Sequence, residues 1–318
     1  MSSNASQRRR FDRDVDGILV LDKSTGMTSN AALQEARGLF RALKAGHAGS
    51  LDPLASGMLP ICFGHATKVC AFLLEAHKTY RFEARLGERT DTGDADGSIV
   101  ERRGVPVLDE GQIQLALLAA TGEQLQVPPM YSALKHQGQR LYELARRGEE
   151  VERAPRSIVI ESLRLLHFDQ HELTIEVHCS KGTYVRTLAE NIASRLGTIA
   201  HLTALRRLQV SPFEEQSMLT LAHLAEVAKS GLHAIDALLV APDQALMHLP
   251  AVSFDASGTE ALLRGQGTVG IAVPGIGAWV RMYGPEQRFL GLGEIAPGAV
   301  IQPRRLFVDL APNEPINL

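Results

Sequence analysis

Cysteines, long apolar runs and common catalytic motifs are scarce in this sequence, and each scarcity excludes a class of protein. The three cysteines, Cys62, Cys70 and Cys179, lie far apart and form no C-x-x-C pair. Such spacing is typical of small buried side chains, and not of a disulfide framework or a zinc site. The best candidate for a membrane span, Val269–Val280, is interrupted by glycine and proline. It is shorter than the roughly 20 apolar residues that a transmembrane helix needs.

Walker A, G-x-S-x-G and H-E-x-x-H motifs are absent, which removes the commonest nucleotide-binding, hydrolase and zinc-protease classes. The segment Thr90–Gly97 resembles a calcium-binding loop. With Gly97 as the required glycine, the first ligand position is Thr92 and the twelfth is Arg103. An EF-hand needs aspartate and glutamate at those positions, so this segment is not expected to bind calcium.

Charge and composition are those of an ordinary globular protein. The net charge of -3 gives no global sign of a polyanionic partner, although local basic clusters such as Arg206–Arg207 leave one open. Acidic residues follow the arginines at 8–10, and the apolar run Ile18–Leu21 is too short for a signal peptide. A cytoplasmic protein is therefore expected.

Apolar periodicity predicts an α+β fold. The predicted elements are a strand at Asp16–Asp22, a helix over 32–43 capped by Thr28 or Ser29, an ordered loop at Lys44–Gly57, half-buried strands at Lys78–Gly87 and His171–Cys179, and a helix from Val185 to Leu196 that ends at Gly197. Alternating strands without a regular βαβ period favour a largely antiparallel sheet.

Three regions are predicted along the chain. Residues 1–14 form a basic, flexible N-terminus, residues 15–248 form the main domain, and residues 249–318 form a small β-rich domain. The last boundary follows from the prolines at 242 and 250 and from the ten glycines that lie between Gly258 and Gly298.

The loop Lys44–Gly57 carries the strongest candidate for chemistry. Its sequence is KAGHAGSLDPLASG, in which the first two glycines permit close backbone approach and Pro53 stiffens the chain after Asp52. A carboxylate on such a loop can act as a nucleophile. Taken alone, an aspartate in a glycine-rich loop is more often an Asx turn.

This loop resembles the catalytic motif G-H-x-G-x-L-D-P-x-A-x-G of the TruB family of tRNA pseudouridine synthases, with every fixed position present. Ser24 and His65 depart from common family residues. Further blocks follow in the family's order: Leu21–Lys23 with Gly26–Ser29, Lys78–Tyr80, Arg89–Thr92, Met130–Lys135, Cys179–Thr187 and Leu205–Leu208.

The resemblance implies that a uridine at position 55, in the T-loop of tRNA, is flipped out and isomerised to pseudouridine. The implied fold is the pseudouridine-synthase fold, with a mixed, mainly antiparallel sheet and flanking helices, followed by a PUA-like RNA-binding domain that carries Arg304 and Arg305. No cofactor and no metal are expected. The expected partner is tRNA, with no membrane, no obligate protein partner and a monomeric chain.

The resemblance also implies the roles of the site residues. Asp52 is the nucleophile, with attack at C1′, attack at C6 and elimination all left open. Tyr80 stacks on the base, and Arg186 pairs with Asp52 and favours its ionised form. Tyr184 and Leu205 line the uridine pocket.

The resemblance implies less specific roles for two further residues, His47 and Lys23. His47 enters the opened T-loop and takes up stacking space, although its ordinary pKa would also suit a general base. Lys23 contacts phosphate or supports the site. Without the family motifs, Tyr80 and Leu205 would be assigned to the core, and Arg186 to the surface.

Three other functions stay open at this stage. The protein could bind or fold RNA with catalysis as a secondary activity, or isomerise uridine in a different RNA. It could also belong to the RNA-guided members of the family, but the acidic composition and compact layout argue against that.

Overall fold

Two β-sheets organise the chain in the computed structural model, which describes residues 11–215, 218–270 and 275–307. The α+β class is confirmed. In the part of the chain that the structure describes, no helix has both the length and the apolar character needed to cross a membrane.

The strands and helices are numbered here in chain order. The strands are β1 Gly17–Lys23, β2 Ala45–His47, β3 Ser56–Phe63, β4 Lys78–Leu86, β5 Glu88–Thr90, β6 Ile99–Arg102, β7 Gly122–Gln126, β8 Lys135–His136, β9 Gln139–Arg140, β10 Arg156–Phe168, β11 Glu172–Cys179, β12 Ala200–Val210, β13 Leu219–Thr220, β14 Ala251–Ser253, β15 Thr268–Val269, β16 Trp279–Tyr283, β17 Phe289–Ala296 and β18 Val300–Leu306. The α-helices are α1 Ser29–Phe40, α2 Cys70–Glu75, α3 Glu110–Ala119, α4 Leu141–Arg146, α5 Val185–Arg195, α6 Leu221–Ala228, α7 Leu232–Asp236 and α8 Ala256–Leu263.

The large sheet has the strand order β13-β1-β3-β12-β4-β11-β10-β7, with β2 also paired to β3. Within this sheet, the pairs β1–β13 and β3–β12 are parallel and the other described pairs are antiparallel, so the sheet is mixed and mainly antiparallel, as predicted. Strand β12 lies between β3 and β4. It therefore connects the strand that follows the Asp52 loop with the strand that carries Tyr80.

The alternating segments form strands as the sequence predicts. In β4 the side chains of Phe82, Ala84 and Leu86 are buried and those between them are exposed, and β11 alternates in the same way. Half-buried strands of this kind cover one face of the core and leave the other face toward solvent.

The first helix is shorter than its periodicity predicts. Thr28 caps α1 by accepting a hydrogen bond from the backbone N–H of Ala31 at 3.1 Å. The helix ends at Phe40 because Arg41 adopts a left-handed conformation with φ 54°. Leu43, expected on the apolar helix face, is consequently 52% exposed.

The predicted loop at Lys44–Gly57 is partly strand. Residues 45–47 form β2, which pairs antiparallel with β3, and β3 itself begins at Ser56. A three-residue strand is too short to show alternation, and this one contains a glycine. Its sequence pattern therefore could not distinguish it from loop.

The C-terminal part of the chain forms the second sheet, in the order β14-β16-β17-β18-β15. This β-rich character was predicted. One apolar cluster joins the two sheets, because Leu292 and Phe307 pack with Val69 and Leu73 of the larger unit. The predicted domain boundary at 249 stays a prediction.

Arg305 lies at this junction. Its guanidinium donates a hydrogen bond to the backbone oxygen of Lys68 at 2.6 Å. It also lies 5.4 Å from the ring centre of Phe72 and 5.7 Å from that of Trp279. Arg305 was predicted, with Arg304, to contact RNA, whereas its side chain is occupied by the contact between the sheets. Arg304 is exposed and pairs with Glu294 at 2.8 Å.

Of the predicted flexible segment 1–14, residues 1–10 lie outside the described residues. Arg13 is held in place, since its guanidinium pairs with Asp236 and its backbone N–H donates to the oxygen of Arg41 at 3.0 Å. Asp12 pairs with the Arg41 side chain. These contacts attach the start of the described chain to α1 and α7.

Candidate active site

The loop between β2 and β3 is held at several points around Asp52. The Ser29 hydroxyl at the start of α1 donates to the oxygen of Leu51 at 3.0 Å and accepts from the N–H of Leu51 at 2.7 Å. The N–H of Gly26 donates to the oxygen of Pro53 at 2.7 Å. Contacts on both sides of Asp52 therefore fix its backbone.

Asp52 forms an ion pair with Arg186. Nη2 of Arg186 lies 2.9 Å from Oδ2 of Asp52. Arg186 is in the first turn of α5 and its side chain is only 6% exposed, whereas the Asp52 side chain is 44% exposed. A buried guanidinium thus holds a carboxylate that still faces solvent.

The remaining donors of Arg186 contact two loops. Nη1 donates to the backbone oxygen of Thr92 at 2.8 Å, and Nη2 to that of Tyr131 at 2.7 Å. Five donors in a rigid fork allow one arginine to bind several acceptors at once. Three segments of the chain are thereby fixed relative to Asp52.

Asp94 is a second carboxylate beside Arg186, and the sequence analysis did not select it. Its Oδ2 lies 3.7 Å from Nε of Arg186, and its side chain is 6% exposed. Oδ1 accepts hydrogen bonds from the Thr92 hydroxyl at 2.6 Å and from the N–H of Asp96 at 3.2 Å. The dense Asp, Thr and Gly pattern of this turn was visible, but only as a rejected calcium loop.

Opposing influences set the protonation of Asp52. Burial raises the pKa of its carboxyl, and the nearby carboxylates of Asp94 and Asp96 add to this. The charge and hydrogen bond of Arg186 lower that pKa, in the direction that favours the ionised form. Burial is the larger effect, so the pKa of Asp52 lies above its ordinary value.

Two tyrosines lie close enough to Asp52 for its charge to affect them. Burial is the main cause that raises the pKa of both Tyr80 and Tyr184, and Asp52 raises both further. The Gln126 side chain holds the backbone of Tyr184, donating to its oxygen at 3.1 Å and accepting from its N–H at 2.8 Å. Both phenols therefore stay protonated at neutral pH.

Lys23 is fully buried, at 0% exposed. Its ammonium donates to the backbone oxygens of Ser24 at 2.9 Å and Met27 at 2.7 Å. Burial lowers its pKa to about 8, against the raising effect of Asp52. An ammonium bonded inside the protein fits support of the site better than contact with a phosphate. The assignment of Lys23 to substrate binding stays a prediction. Support of the site, the other expectation, fits its position.

Leu205 and His47 complete the predicted set. Leu205 is buried in β12, where it pairs with Phe82 of β4. His47 ends β2, and burial lowers the pKa of its imidazole, with a further lowering by Arg207. Its Nδ1 is buried and has no hydrogen-bond partner among the described residues. The lowered pKa keeps the ring neutral at pH 7, a form compatible both with stacking and with accepting a proton. The role of His47 stays a prediction.

Comparisons with known proteins agree with the motifs. The family model described as "TruB family pseudouridylate synthase (N terminal domain)" matches residues 37–185. Models described as "tRNA pseudouridylate synthase B C-terminal domain" and "Pseudouridine synthase II TruB, C-terminal" match residues 186–247 and 250–307.

Two curated relatives carry the name tRNA pseudouridine synthase B. The protein of Chromohalobacter salexigens is 49% identical over 303 residues, which cover 94% of this chain and 96% of the relative. That of Photobacterium profundum is 44% identical over 310 residues and covers 95% of this chain and 98% of the relative.

The fold is also found in a solved structure, that of an archaeal box H/ACA sRNP Nop10–Cbf5 complex. The chain aligns with it at a TM-score of 0.71 and 23% identity, covering 93% of this chain and 87% of the other. At this identity the likeness concerns the fold.

Proposed function

Because the chain belongs to the TruB family of pseudouridylate synthases, we propose that it isomerises a uridine in the T-loop of tRNA, at position 55, with Asp52 as the nucleophile. The observation that carries the proposal is the ion pair between Asp52 and the buried Arg186. It holds an accessible carboxylate on a loop whose backbone is fixed on both sides of that residue.

The reaction balances without any added group. The N1–C1′ bond of the uridine breaks, the base turns, and a C5–C1′ bond forms, while the proton on C5 leaves and N1 gains one. The nucleotide must leave its stack to reach Asp52. The carboxylate form is the reactive one, and Arg186 favours that form against the effect of burial.

The other side chains bind the base in this proposal. The ring of Tyr80 stacks on the flipped uracil, and Tyr184 and Leu205 close the pocket around it. Its raised pKa keeps Tyr80 a neutral phenol, which is suited to stacking and hydrogen bonding. His47, neutral and half-buried, fills the space that the flipped base leaves in the T-loop.

The protein would act alone on tRNA in the cytoplasm, as a monomer, with the C-terminal region 249–318 contributing RNA contacts outside the active site. The relatives that share 44–49% identity over nearly the whole chain are named for tRNA, and this supports a stand-alone tRNA enzyme over an RNA-guided one.

The test is incubation of the purified chain, without other proteins or guide RNA, with an unmodified tRNA transcript. Pseudouridine is then mapped by carbodiimide adducts and reverse transcription. One new pseudouridine at position 55 is expected, and none in a transcript with cytidine there. Modification at another position would contradict the T-loop assignment, and no modification would contradict the proposed function.

A further inference from the structure

Arg207 is a fully buried arginine beside the active site. The residue is only 2% exposed, and its side chain is the largest among the fully buried side chains of the described residues. No carboxylate lies within 4.0 Å of its guanidinium among the residues that the structure describes. A buried charge without an ionic partner is costly unless several hydrogen bonds hold it.

The hydrogen bonds of Arg207 reach both ends of the Asp52 loop. Nε donates to the backbone oxygen of Met58 at 2.6 Å, and Nη2 donates to that of Gly49 at 3.0 Å. These two oxygens flank Asp52 in sequence. One rigid guanidinium therefore fixes the span of the loop that presents the nucleophile.

Arg207 also contacts Tyr80. The two residues are direct partners in the β12–β4 pairing. Burial raises the pKa of the Tyr80 phenol, and the positive charge of Arg207 opposes this rise. The register of the pairing thus places Arg207 next to the residue proposed to stack on the base.

The backbone around Arg207 leaves no room for adjustment. Gly57 pairs with Arg207 across β3 and β12 and has φ +97°. A Cβ atom at Gly57 would lie 2.2 Å from the backbone oxygen of Arg207. The two strands are in direct backbone contact here, so the position of Arg207 is set by the sheet.

We propose that Arg207 is a positioning residue for the isomerisation, which holds the Asp52 loop in a fixed arrangement relative to Tyr80 on the neighbouring strand. This inference rests on the proposed function. Arg207 does not touch the substrate, since its side chain is buried behind the loop. It acts through Asp52 and Tyr80.

The first experiment compares Arg207→Lys with Arg206→Lys. Lysine keeps the charge but has no fork to bind two separated carbonyls at once. Single-turnover rates for Arg207→Lys should fall at least about tenfold, with tRNA Kd within about threefold. Arg206 is adjacent in β12 but binds Asp22 and Glu215, so Arg206→Lys should keep the wild-type rate. A wild-type rate in Arg207→Lys would overturn the proposal.

A double-mutant cycle with Tyr80→Phe separates positioning from general stability. If Arg207 acts partly through the Tyr80 hydroxyl, Arg207→Lys should slow the Tyr80→Phe protein less than it slows wild type. Equal effects in the two backgrounds, together with parallel losses in thermal stability, would reduce Arg207 to a structural residue.

A third measurement needs no change at position 207 and no catalysis. In protein labelled with ¹⁵N-arginine, the guanidinium signals of Arg207 should move on Tyr80→Phe and stay in place on Tyr142→Phe, because Tyr142 contacts other arginines. Unmoved signals in Tyr80→Phe would overturn the proposal even if Arg207 variants fail to fold. Failure of wild type to form pseudouridine would instead contradict the proposed function, and this measurement would still decide the contact.

Discussion

Asp52 shows how a single side chain is both held and exposed. Its partner Arg186 is buried, so the ion pair is shielded on one side, while the carboxylate faces solvent on the other. Burial and nearby acidic groups raise its pKa, and Arg186 opposes them. The ionised form of Asp52 therefore depends on Arg186, and we expect substitutions at Arg186 to have large effects.

Asp52→Asn should abolish pseudouridine formation, because an amide keeps the shape of the side chain but is not a nucleophile. Binding of tRNA should stay within about tenfold of wild type, a difference of roughly 1.4 kcal/mol. Release of tritium from [5-³H]uridine tRNA measures the first and filter binding the second. The exposed Asp14→Asn is the control. Measurable turnover by purified Asp52→Asn would remove Asp52 from the mechanism.

Arg186→Lys should lower the rate by about 100-fold, or roughly 2.7 kcal/mol, since one ammonium cannot bind Asp52 and the oxygens of Thr92 and Tyr131 together. The weaker contact also lets the pKa of Asp52 rise further. The residual rate should therefore fall away at a higher pH than in wild type as the solution is acidified. A pH–rate profile measures both effects, with the exposed Arg195→Lys as control. If the rates of Arg186→Lys and wild type fell at the same pH on acidification, the result would argue against the ion pair between Asp52 and Arg186.

Lys23 links stability to pH with a definite sign. Its pKa is about 8 in the folded protein and 10.5 in the reference state, so the unfolded chain binds more protons between these values. The free energy of unfolding should therefore gain a contribution as pH rises through this window. Lys23→Met should flatten the rise, as measured by urea unfolding at about pH 7.5 and about pH 9.5. Parallel changes in variant and wild type would contradict the lowered pKa.

At the scale of an element, the approach of β3 to β12 depends on Gly57. Gly57→Ala should destabilise the protein by more than about 3 kcal/mol, because the new methyl group collides with the backbone of Arg207 and the backbone conformation is strained. Gly182→Ala is the matched control, with φ +77° and open space, and should cost only about 1 kcal/mol. Chemical unfolding measures both, and similar losses would show that no collision occurs.

Elements with a clear period were predictable, and those fixed by tertiary contacts were not. Strands β4 and β11 followed from alternation, and α1 followed from its apolar face up to Phe40. Strand β2 was missed because three residues carry no period. The burial of Lys23 and Arg207 was hidden as well, because the acceptors for a buried cation are backbone oxygens that no sequence pattern displays.

The candidate site was predictable through the family motifs, which selected Asp52 and Arg186. Asp94 was missed because its place beside the site depends on a contact with Arg186 of α5, which is distant in sequence. Arg305 was assigned to RNA by its charge, but its guanidinium lies against the rings of Phe72 in α2 and Trp279 in β16. Charge in a sequence does not reveal which side of a domain it faces.

At the scale of the whole molecule, we expect the adjacent arginines Arg304 and Arg305 to have separate roles, the first in RNA binding and the second in assembly of the two sheets. Arg304→Ala should weaken tRNA binding and reduce the slope of log Kd against log salt by about 1, as loss of one phosphate contact does. Arg305→Ala should instead lower stability by about 1–2 kcal/mol, through the lost hydrogen bond and cation–π contacts. Measurement of tRNA binding across a salt series tests the first prediction, and thermal unfolding tests the second. Both variants are measured by both methods.

If Arg305→Ala changed the salt dependence of tRNA binding and Arg304→Ala did not, Arg305 would be the RNA contact and the prediction would be contradicted. Single substitutions are a sharper test than removal of residues from Pro250 onward. That truncation would expose the apolar surface around Val69 and Leu73, which the second sheet covers.

Trp279 gives this protein a built-in optical reporter. It is the sole tryptophan in the sequence, and its ring lies edge-on to Phe72 at 5.7 Å, beside the Arg305 guanidinium, where the two sheets meet. Its ultraviolet emission therefore comes from this junction alone. Any rotation of the C-terminal sheet as tRNA arrives would change the polarity around the indole and shift the emission maximum. The kinetics of docking can thus be followed by stopped-flow fluorescence without attaching a dye.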